Sequence, residues 1–330
     1  MASPQHQMTM EMLPDEVLLN IFIRLSAKQL AQMRFPHLEL TNFIKLPVNP
    51  EPEYTSISVI GSINGLICST YGDSVIHIWN PSLSAVLTLP PYSMPSHDCD
   101  SIEIHFRFGF DPKTDDYKVV KLTGLTGPRT YAVRWWLQIE IYCTRKGSWE
   151  LITERFPPHI TNIIDGDSVC VDGHDGHLHW LGYANGEQDP KTIIAFDLGS
   201  ETFREILFPN SIRQNRVNVL GVLSEKLCVM SYIEDVAYEV WVMDEYGVAE
   251  SWVKRHVLSP FFDDTWPYGF TLHNEFLIED NGYLVLYDSS ANKRCILEDH
   301  CAEEYGVEKI VEYVDSLVWV APAKHEMVDG

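Results

Sequence analysis

Residues 58–90 read SVIGSINGLICSTYGDSVIHIWNPSLSAVLTLP, and this stretch decides the fold class. It contains four short runs rich in β-branched and aromatic residues: Ser58–Ile63, Leu66–Ser69, Val75–Asn80 and Ala85–Pro90. The first two runs are separated by Asn64-Gly65, and Asn-Gly between such runs is the strongest short signal for a β-hairpin. The stretch therefore predicts a small antiparallel sheet of four strands.

The same group of four runs recurs four more times along the chain. The second group is His105–Asp111, Tyr117–Leu122, Trp136–Cys143 and Trp149–Glu154, and the third is Ser168–Asp172, His177–Gly182, Thr192–Asp197 and Phe203–Phe208. The fourth is Asn218–Leu223, Leu227–Tyr232, Tyr238–Met243 and Trp252–Leu258, and the fifth is Gly269–His273, Glu275–Glu279, Tyr283–Asp288 and Arg294–Leu297. No stretch after residue 55 shows the period of a long amphipathic helix.

An aromatic residue followed by a turn aligns the third run of every group. These residues are Trp79, Tyr142, Phe196, Trp241 and Tyr287, at intervals of 63, 54, 45 and 46 residues. A four-stranded unit that recurs at about 40–50 residues is typical of a β-propeller. Two further runs follow, Glu308–Val314 and Leu317–Val320. The sequence therefore predicts a mainly-β protein, a propeller of about six blades with the last one incomplete.

A short helical segment is predicted before the propeller. Apolar residues at helical spacing form one stripe, and Pro14 stands at the start, where its missing N–H costs nothing. The stripe consists of Leu13, Val17, Leu18, Ile21, Phe22 and Leu25. The predicted organisation is helices over 11–34, a proline-punctuated linker over 35–54, the propeller over 55–322 and a tail over 323–330.

Composition excludes several classes of function. The formal net charge is −23, and residues 1–50 contribute nothing to it because four basic and four acidic side chains balance there. Nucleic acids and acidic membrane surfaces both require Lys and Arg, so neither is an expected partner. There is no CxxC motif, no secretory leader pattern in MASPQHQMTM and no apolar run of about 18 residues. We expect a reducing compartment, the cytosol, the nucleus or both.

Several segments resemble a known family. LPDEVLLNIFIRLSAKQLAQMR is similar to the first half of a plant F-box, and the segments after it are similar to an F-box-associated, kelch-like propeller domain. Those later segments are GSINGLICS, VIHIWNPS, FRFGFDPKTDDYKVVKL, GHLHWLGY, IIAFDLGSETF and LVWV. The resemblance implies the substrate receptor of an SCF-type ubiquitin ligase. Its F-box would bind a Skp-type adaptor, and through it a cullin, by Leu13, Pro14, Val17, Leu18, Ile21 and Leu25.

The chain departs from this family after Arg34, where a third F-box helix is expected. FPHLEL leads instead directly to TNFIKLP, so the F-box is truncated. The sequence therefore leaves open an alternative, an orphan propeller that binds its target without recruiting a ligase.

Long loops indicate where the propeller would bind a target protein. Six long connections share one face by strand direction, and long loops on a rigid scaffold commonly carry function. They are Pro91–Glu103, Gly124–Trp135, Phe156–Asp167, Tyr183–Lys191, Pro209–Val217 and Ser259–Tyr268. Two of them contain Arg and aromatic anchors of the type that dominates binding energy. The candidates are Arg129, Tyr131, Arg134, Trp135, Phe261, Phe262, Trp266 and Tyr268, and about half of the rings are expected to fold inward.

An enzymatic reading finds little support in the motifs. His177 and His179 would share one face of a strand, as metal-ligating pairs can, with His174 or an aspartate nearby. We favour a packing role for them and expect neither a metal, a cofactor nor a catalytic residue. Asp111–Asp116 (DPKTDD) imitates a calcium loop in composition but lacks the central Gly and the closing Glu, which favours a turn. No nucleophile elbow, phosphate loop or H-E-x-x-H helix occurs.

Overall fold

The computed structural model describes most of the chain after residue 56. The described residues are 57–71, 75–94, 101–126, 133–164, 175–184, 192–209, 211–212, 216–233, 237–258, 265–271, 273–280, 283–288, 293–298, 311 and 313–318. The predicted helices (11–34), the linker (35–54) and the tail (323–330) lie outside them. No helix in the described part of the chain is long and apolar enough to cross a membrane.

Twenty strands form five antiparallel sheets of four, which are the blades of a β-propeller. Blade 1 has β1 (Ile57–Ile63), β2 (Leu66–Tyr71), β3 (Val75–Asn80) and β4 (Ala85–Thr88), and blade 2 has β5 (Ser101–Asp111), β6 (Asp116–Thr126), β7 (Val133–Cys143) and β8 (Ser148–Leu151). Blade 3 has β9 (Ile160–Ile164), β10 (His177–Ala184), β11 (Thr192–Asp197) and β12 (Thr202–Leu207). Blade 4 has β13 (Arg216–Leu223), β14 (Lys226–Ile233), β15 (Ala237–Met243) and β16 (Trp252–Leu258), with a 3-10 turn at Ala249–Ser251. Blade 5 has β17 (Thr265–Phe270), β18 (Phe276–Asp280), β19 (Tyr283–Asp288) and β20 (Lys293–Glu298).

Within every blade the strands follow one another in chain order, each antiparallel to the last. Two faces result. Connections between the second and third strands, and those that lead to the next blade, lie on one side, which we call the loop face. Connections between the first and second strands, and between the third and fourth, lie on the opposite side, which we call the turn face.

The predicted aromatic positions are confirmed. Each of the five aligned aromatic residues lies on the third strand of its blade. Tyr142 on β7 stands opposite Trp149, and Phe196 on β11 stands opposite Phe203. Such cross-strand aromatic pairs stabilise a sheet. In blades 1, 4 and 5 the residue opposite is Val86, Lys254 and Arg294, so the repeated feature is the third-strand aromatic residue itself.

Neighbouring blades pack face to face, and each seam between them has its own apolar core. Representative pairs across the seams are Leu66 with Phe108 (blades 1 and 2), Ile141 with Trp180 (2 and 3), Leu181 with Leu220 (3 and 4) and Val240 with Phe276 (4 and 5). All eleven residues of β6 are buried, whereas the outer strand β4 alternates between half-buried and exposed positions. Inner strands are covered on both sides by neighbouring blades, so their sequences lose the polar alternation of a half-exposed strand.

The prediction for the first strand of blade 3 is wrong. We expected Ser168–Asp172, but β10 pairs with β9 (Ile160–Ile164), and residues 168–172 lie outside the described part. The two prolines at 157 and 158, just before this strand, are typical of a loop, so the sequence pattern did not indicate a strand there. Ile160 and Ile163 nevertheless fill the seam between blades 2 and 3, which explains why the chain pairs there. The connection over residues 165–176 therefore belongs to the turn face.

Strands also extend into the predicted loops, including both loops that carry the anchors. β6 continues to Thr126 and β7 begins at Val133, so the first anchor-bearing connection shortens to residues 127–132. β17 begins at Thr265, which shortens the second to residues 259–264. Of the predicted sixth blade, residues 313–318 form no strand, and the remainder lies outside the described residues apart from Val311, which is also outside any strand.

Candidate target-binding face

The predicted anchors divide into three groups. Arg129, Tyr131, Phe261 and Phe262 lie outside the described residues. Arg134 and Trp135 lie at the beginning of β7, and Trp266 lies at the beginning of β17. A third strand and a first strand both begin on the loop face, so these positions share that face.

Tyr268 is the exception. Its side chain is buried, with 3% exposed, and its hydroxyl donates a hydrogen bond to Oε2 of Glu279 at 2.6 Å. It packs with Leu277 and Leu284 within blade 5. The structure therefore removes Tyr268 from the candidate target-binding residues.

Trp136 also turns inward, and it fixes the beginning of β7. Its indole N–H donates to the carbonyl of Ile160 at 2.8 Å, and its ring centroid lies 4.3 Å from that of Phe156. The bond joins blade 2 to the first strand of blade 3. Residues 127–132 therefore precede a strand whose beginning is tied to blade 3.

A buried ion pair supports the loop face between blades 1 and 2. Nζ of Lys121 on β6 lies 2.5 Å from Oε2 of Glu140 on β7, and neither side chain is appreciably exposed. The same ammonium donates to the carbonyl of Ser93, and Ser93 Oγ donates to Oε1 of Glu140, both at 2.5 Å. The Tyr92 ring lies 4.6 Å from Nζ. The connection from blade 1 to blade 2 is therefore held by a fully satisfied polar network.

The electrostatics of this network favour the charged state. Burial alone would raise the pKa of Glu140, but hydrogen bonds from Lys121 and Ser93, together with the lysine charge, lower it below its usual value. Sequence reasoning missed this pair. A lysine and a glutamate on strands are usually solvated, and the sequence carries no signal that pairs these two.

The histidines of the predicted cluster serve blade packing. His179 is fully buried, and its Nε2 lies 2.7 Å from the hydroxyl of Tyr246 in blade 4. His177 contacts the carbonyl of Asp175 at 2.8 Å and lies against the Tyr246 ring, with centroids 4.9 Å apart. His174 lies outside the described residues. Among the residues that the structure describes, no group of three or more His, Cys, Asp or Glu could hold a metal ion.

Asp197 links His177 to blade 2 on the turn face. Its Oδ2 lies 3.1 Å from Nζ of Lys113 and 3.6 Å from Nε2 of His177. Burial would raise the pKa of Asp197, but two backbone N–H groups of the following turn, the Lys113 ammonium and the charge of His177 lower it to about 2. The cluster is therefore an inter-blade contact.

The DPKTDD segment is a turn, as predicted. Asp111 ends β5 and Asp116 begins β6, and these two residues pair. Both carboxylate oxygens of Asp111 accept hydrogen bonds from inside the turn, one from the Lys113 amide and one from the Thr114 hydroxyl. The oxygens that a calcium ion would need are thus engaged by the turn itself.

Comparison with known proteins identifies the family. The F-box associated beta propeller domain matches residues 21–320. The chain belongs to this family. The match covers all five blades and begins inside the predicted helical segment.

Relatives in the family carry F-box names. F-box protein CPR1 of Arabidopsis thaliana is 26% identical over 77% of this chain and 66% of its own length. The Arabidopsis F-box/kelch-repeat protein At3g23880 is 28% identical over 70% and 61%, and F-box protein At4g22390 is 29% identical over 60% and 52%. The chain therefore spans between half and two thirds of the length of these relatives. AztD of Citrobacter koseri, a solved structure, aligns at a TM-score of 0.39 and 13% identity, covering 81% of this chain and 76% of its own.

Proposed function

We propose that this protein is the substrate receptor of an SCF-type ubiquitin ligase. The observation that carries the proposal is the family match over residues 21–320, together with relatives named F-box proteins. The N-terminal apolar stripe would bind a Skp-type adaptor, which connects to a cullin. The loop face would bind a target protein. No covalent chemistry is assigned to this chain, because ubiquitin transfer would occur on other subunits.

The structure of the propeller supports a role in target binding, separate from adaptor binding by the N-terminal stripe. Four apolar seams and the Lys121–Glu140 network hold the blades together, so the loops are carried by a packed scaffold. The loops between strands can then vary without loss of the fold. The acidic net charge of −23 favours neutral or basic target surfaces and disfavours nucleic acid. We place the protein in the cytosol, the nucleus or both.

The adaptor site is tested by introducing negative charges into the apolar stripe. Replacing Leu13, Val17 and Leu18 with Asp should abolish capture of a purified Skp-type adaptor, because the apolar surface that the adaptor would bury becomes charged. A matched control replaces Gln7, Asn20 and Gln32 with Asp, which adds the same three charges outside the stripe. Capture should survive in the control. Undiminished capture by the stripe variant would refute the adaptor role of these residues.

The orphan-propeller alternative has one observation in its favour, the departure of the sequence from the F-box pattern after Arg34. Helices of this length are marginal alone and need tertiary packing. If the native chain captures no adaptor at micromolar concentrations while its propeller is folded, the alternative replaces the proposal.

The target site is tested on the loop face. Replacing Tyr131, Trp135 and Trp266 with Ala should reduce recovery of proximity-labelled targets at least tenfold, because aromatic anchors contribute about 2 kcal/mol or more each. The control changes Val86, Leu151 and Val253, exposed apolar residues of the outer strands, to Ala. Equal target recovery from the anchor variant and the control would place recognition elsewhere. Adaptor capture should be unchanged in both.

A further inference from the structure

The segment over residues 313–318, with sequence YVDSLV, lies against the turn face of blade 1. It forms no strand, although residues of this region were predicted to build a sixth blade. Gly65, in the turn between β1 and β2, has φ of +78°, and a Cβ built there would lie 2.2 Å from Cβ of Ser316. The segment thus passes directly over this turn, where no side chain larger than that of glycine fits.

Asn80, at the end of β3, recognises the backbone of the segment. Its Nδ2 donates to the carbonyl of Ser316 at 3.1 Å and to that of Val318 at 2.7 Å. Its Oδ1 accepts a bond from the Leu83 amide at 3.2 Å, which fixes the orientation of the side-chain amide. Asn80 is 2% exposed, so its donors are buried and satisfied by the segment.

Ser82 contacts two side chains and one backbone amide of the segment. Its amide donates to the Tyr313 hydroxyl at 3.1 Å, and the two hydroxyl groups of Ser82 and Tyr313 are hydrogen-bonded to each other. Ser82 Oγ also donates to Oδ1 of Asp315 at 3.3 Å and accepts from the Ser316 amide at 3.2 Å. Ser82 therefore forms hydrogen bonds with three residues of the segment, Tyr313, Asp315 and Ser316. Val318 packs against the apolar seam of blades 1 and 2.

We infer that the turn face of blade 1 is a peptide-binding site, occupied here by the chain's own residues 313–318. Side-chain hydrogen bonds to carbonyls, to a tyrosine hydroxyl and to a carboxylate are the contacts of a bound peptide, whereas a shared strand would use a ladder of backbone bonds. The side chains that the site contacts are those of Tyr313, Asp315 and Val318, so the recognised pattern is Tyr-x-Asp-x-x-Val. The inference is independent of the proposed ligase function.

Occupancy in cis follows from chain connectivity. Fourteen residues separate β20 from Tyr313, and a tether of this length gives an effective concentration of the order of millimolar. A segment supplied in trans must therefore compete with the tethered one. Substitutions in residues 313–318 alone should therefore release the segment and let an added peptide bind.

The test uses the full chain and a fluorescent peptide of residues 308–319, EKIVEYVDSLVW. A chain with Tyr313→Ala, Asp315→Ala and Val318→Asp should bind this peptide at least ten times more tightly than the native chain, measured by anisotropy. Adding Asn80→Ala and Ser82→Ala to that chain should weaken binding at least tenfold. Equal binding by the native and vacated chains, or no binding by a folded vacated chain, would overturn the inference.

Hydrogen exchange in the otherwise native chain gives an independent readout. Asn80→Ala with Ser82→Ala should speed amide exchange over 313–318 at least tenfold and leave β1, β2 and β3 protected. Exchange that rises equally in the segment and in these strands would show that the segment is an inseparable part of the blade 1 core, and would overturn the inference.

Discussion

Replacing Lys121 with Met is expected to lower the free energy of unfolding by about 3–5 kcal/mol, since removing one partner of a buried ion pair leaves the other charge uncompensated. Glu140 is 4% exposed and accepts bonds from both Lys121 and Ser93. Urea unfolding at neutral pH measures the loss. The matched control is Lys146→Met, whose partner Glu150 is exposed, and it should cost no more than about 0.5 kcal/mol.

The loss of unfolding free energy in Lys121→Met should depend on pH in one direction. In the native chain the pKa of Glu140 lies below 4.5, so the stability from the pair is present above that pH and is lost as the pH falls through the lowered value. Without Lys121, burial dominates and raises the pKa. The penalty is then largest at pH 8 and shrinks towards pH 5, as the carboxyl takes up a proton in the folded state.

A second substitution separates charge from packing at this site. The double variant Lys121→Met with Glu140→Leu replaces the pair by apolar groups of similar volume, and such replacements are often neutral. It should recover most of the lost stability. If Lys121→Met is no worse than Lys146→Met, or if its penalty grows as the pH falls, the buried pair does not support the loop face as described.

Leu181→Ala is expected to lower the free energy of unfolding by about 3–5 kcal/mol, because the cavity opens in a closed seam. Leu181 is fully buried on β10 and packs with Ile206, Leu220 and Val229 across blades 3 and 4. Large-to-small changes in such cores lose transfer free energy and leave a void. The measurement is chemical denaturation with a single transition.

Leu151→Ala is the matched control for this change. Leu151 ends β8 at the outer edge of blade 2 and is 65% exposed, so the same deletion should change stability by no more than about 0.5 kcal/mol. If the two variants lose equal free energy of unfolding, packing in the seams does not stabilise the five blades as described.

The repeat of four strands was predictable because each blade has an aromatic residue at an equivalent position of its third strand. This residue lies near the end of the strand in all five blades, and it leaves a period in the sequence. In blades 2 and 3 it stands opposite an aromatic residue of the fourth strand. β9 was missed because no repeated residue marks it in the sequence. Its five residues follow a Pro-Pro pair and have no strict alternation, and only the tertiary position of Ile160 against Trp136 shows that they form a strand.

The candidate site was predictable only in part. Strand direction places the connections on the loop face, but it does not tell which rings project from it. Tyr268 folds inward because Glu279, eleven residues later, accepts its hydroxyl, and this contact has no local signal. The Asn80 and Ser82 contacts with residues 313–318 bridge more than 230 residues, so a single sequence cannot reveal them.

The most direct test of the receptor function is recovery of a cullin with the tagged full chain from cells. We expect the native chain to recover a Skp-type adaptor and a cullin. The variant with Leu13, Val17 and Leu18 changed to Asp should recover neither, and both chains should retain the same labelled targets. Recovery of targets by the native chain without any cullin would contradict the account and identify an interaction protein that works outside the ligase.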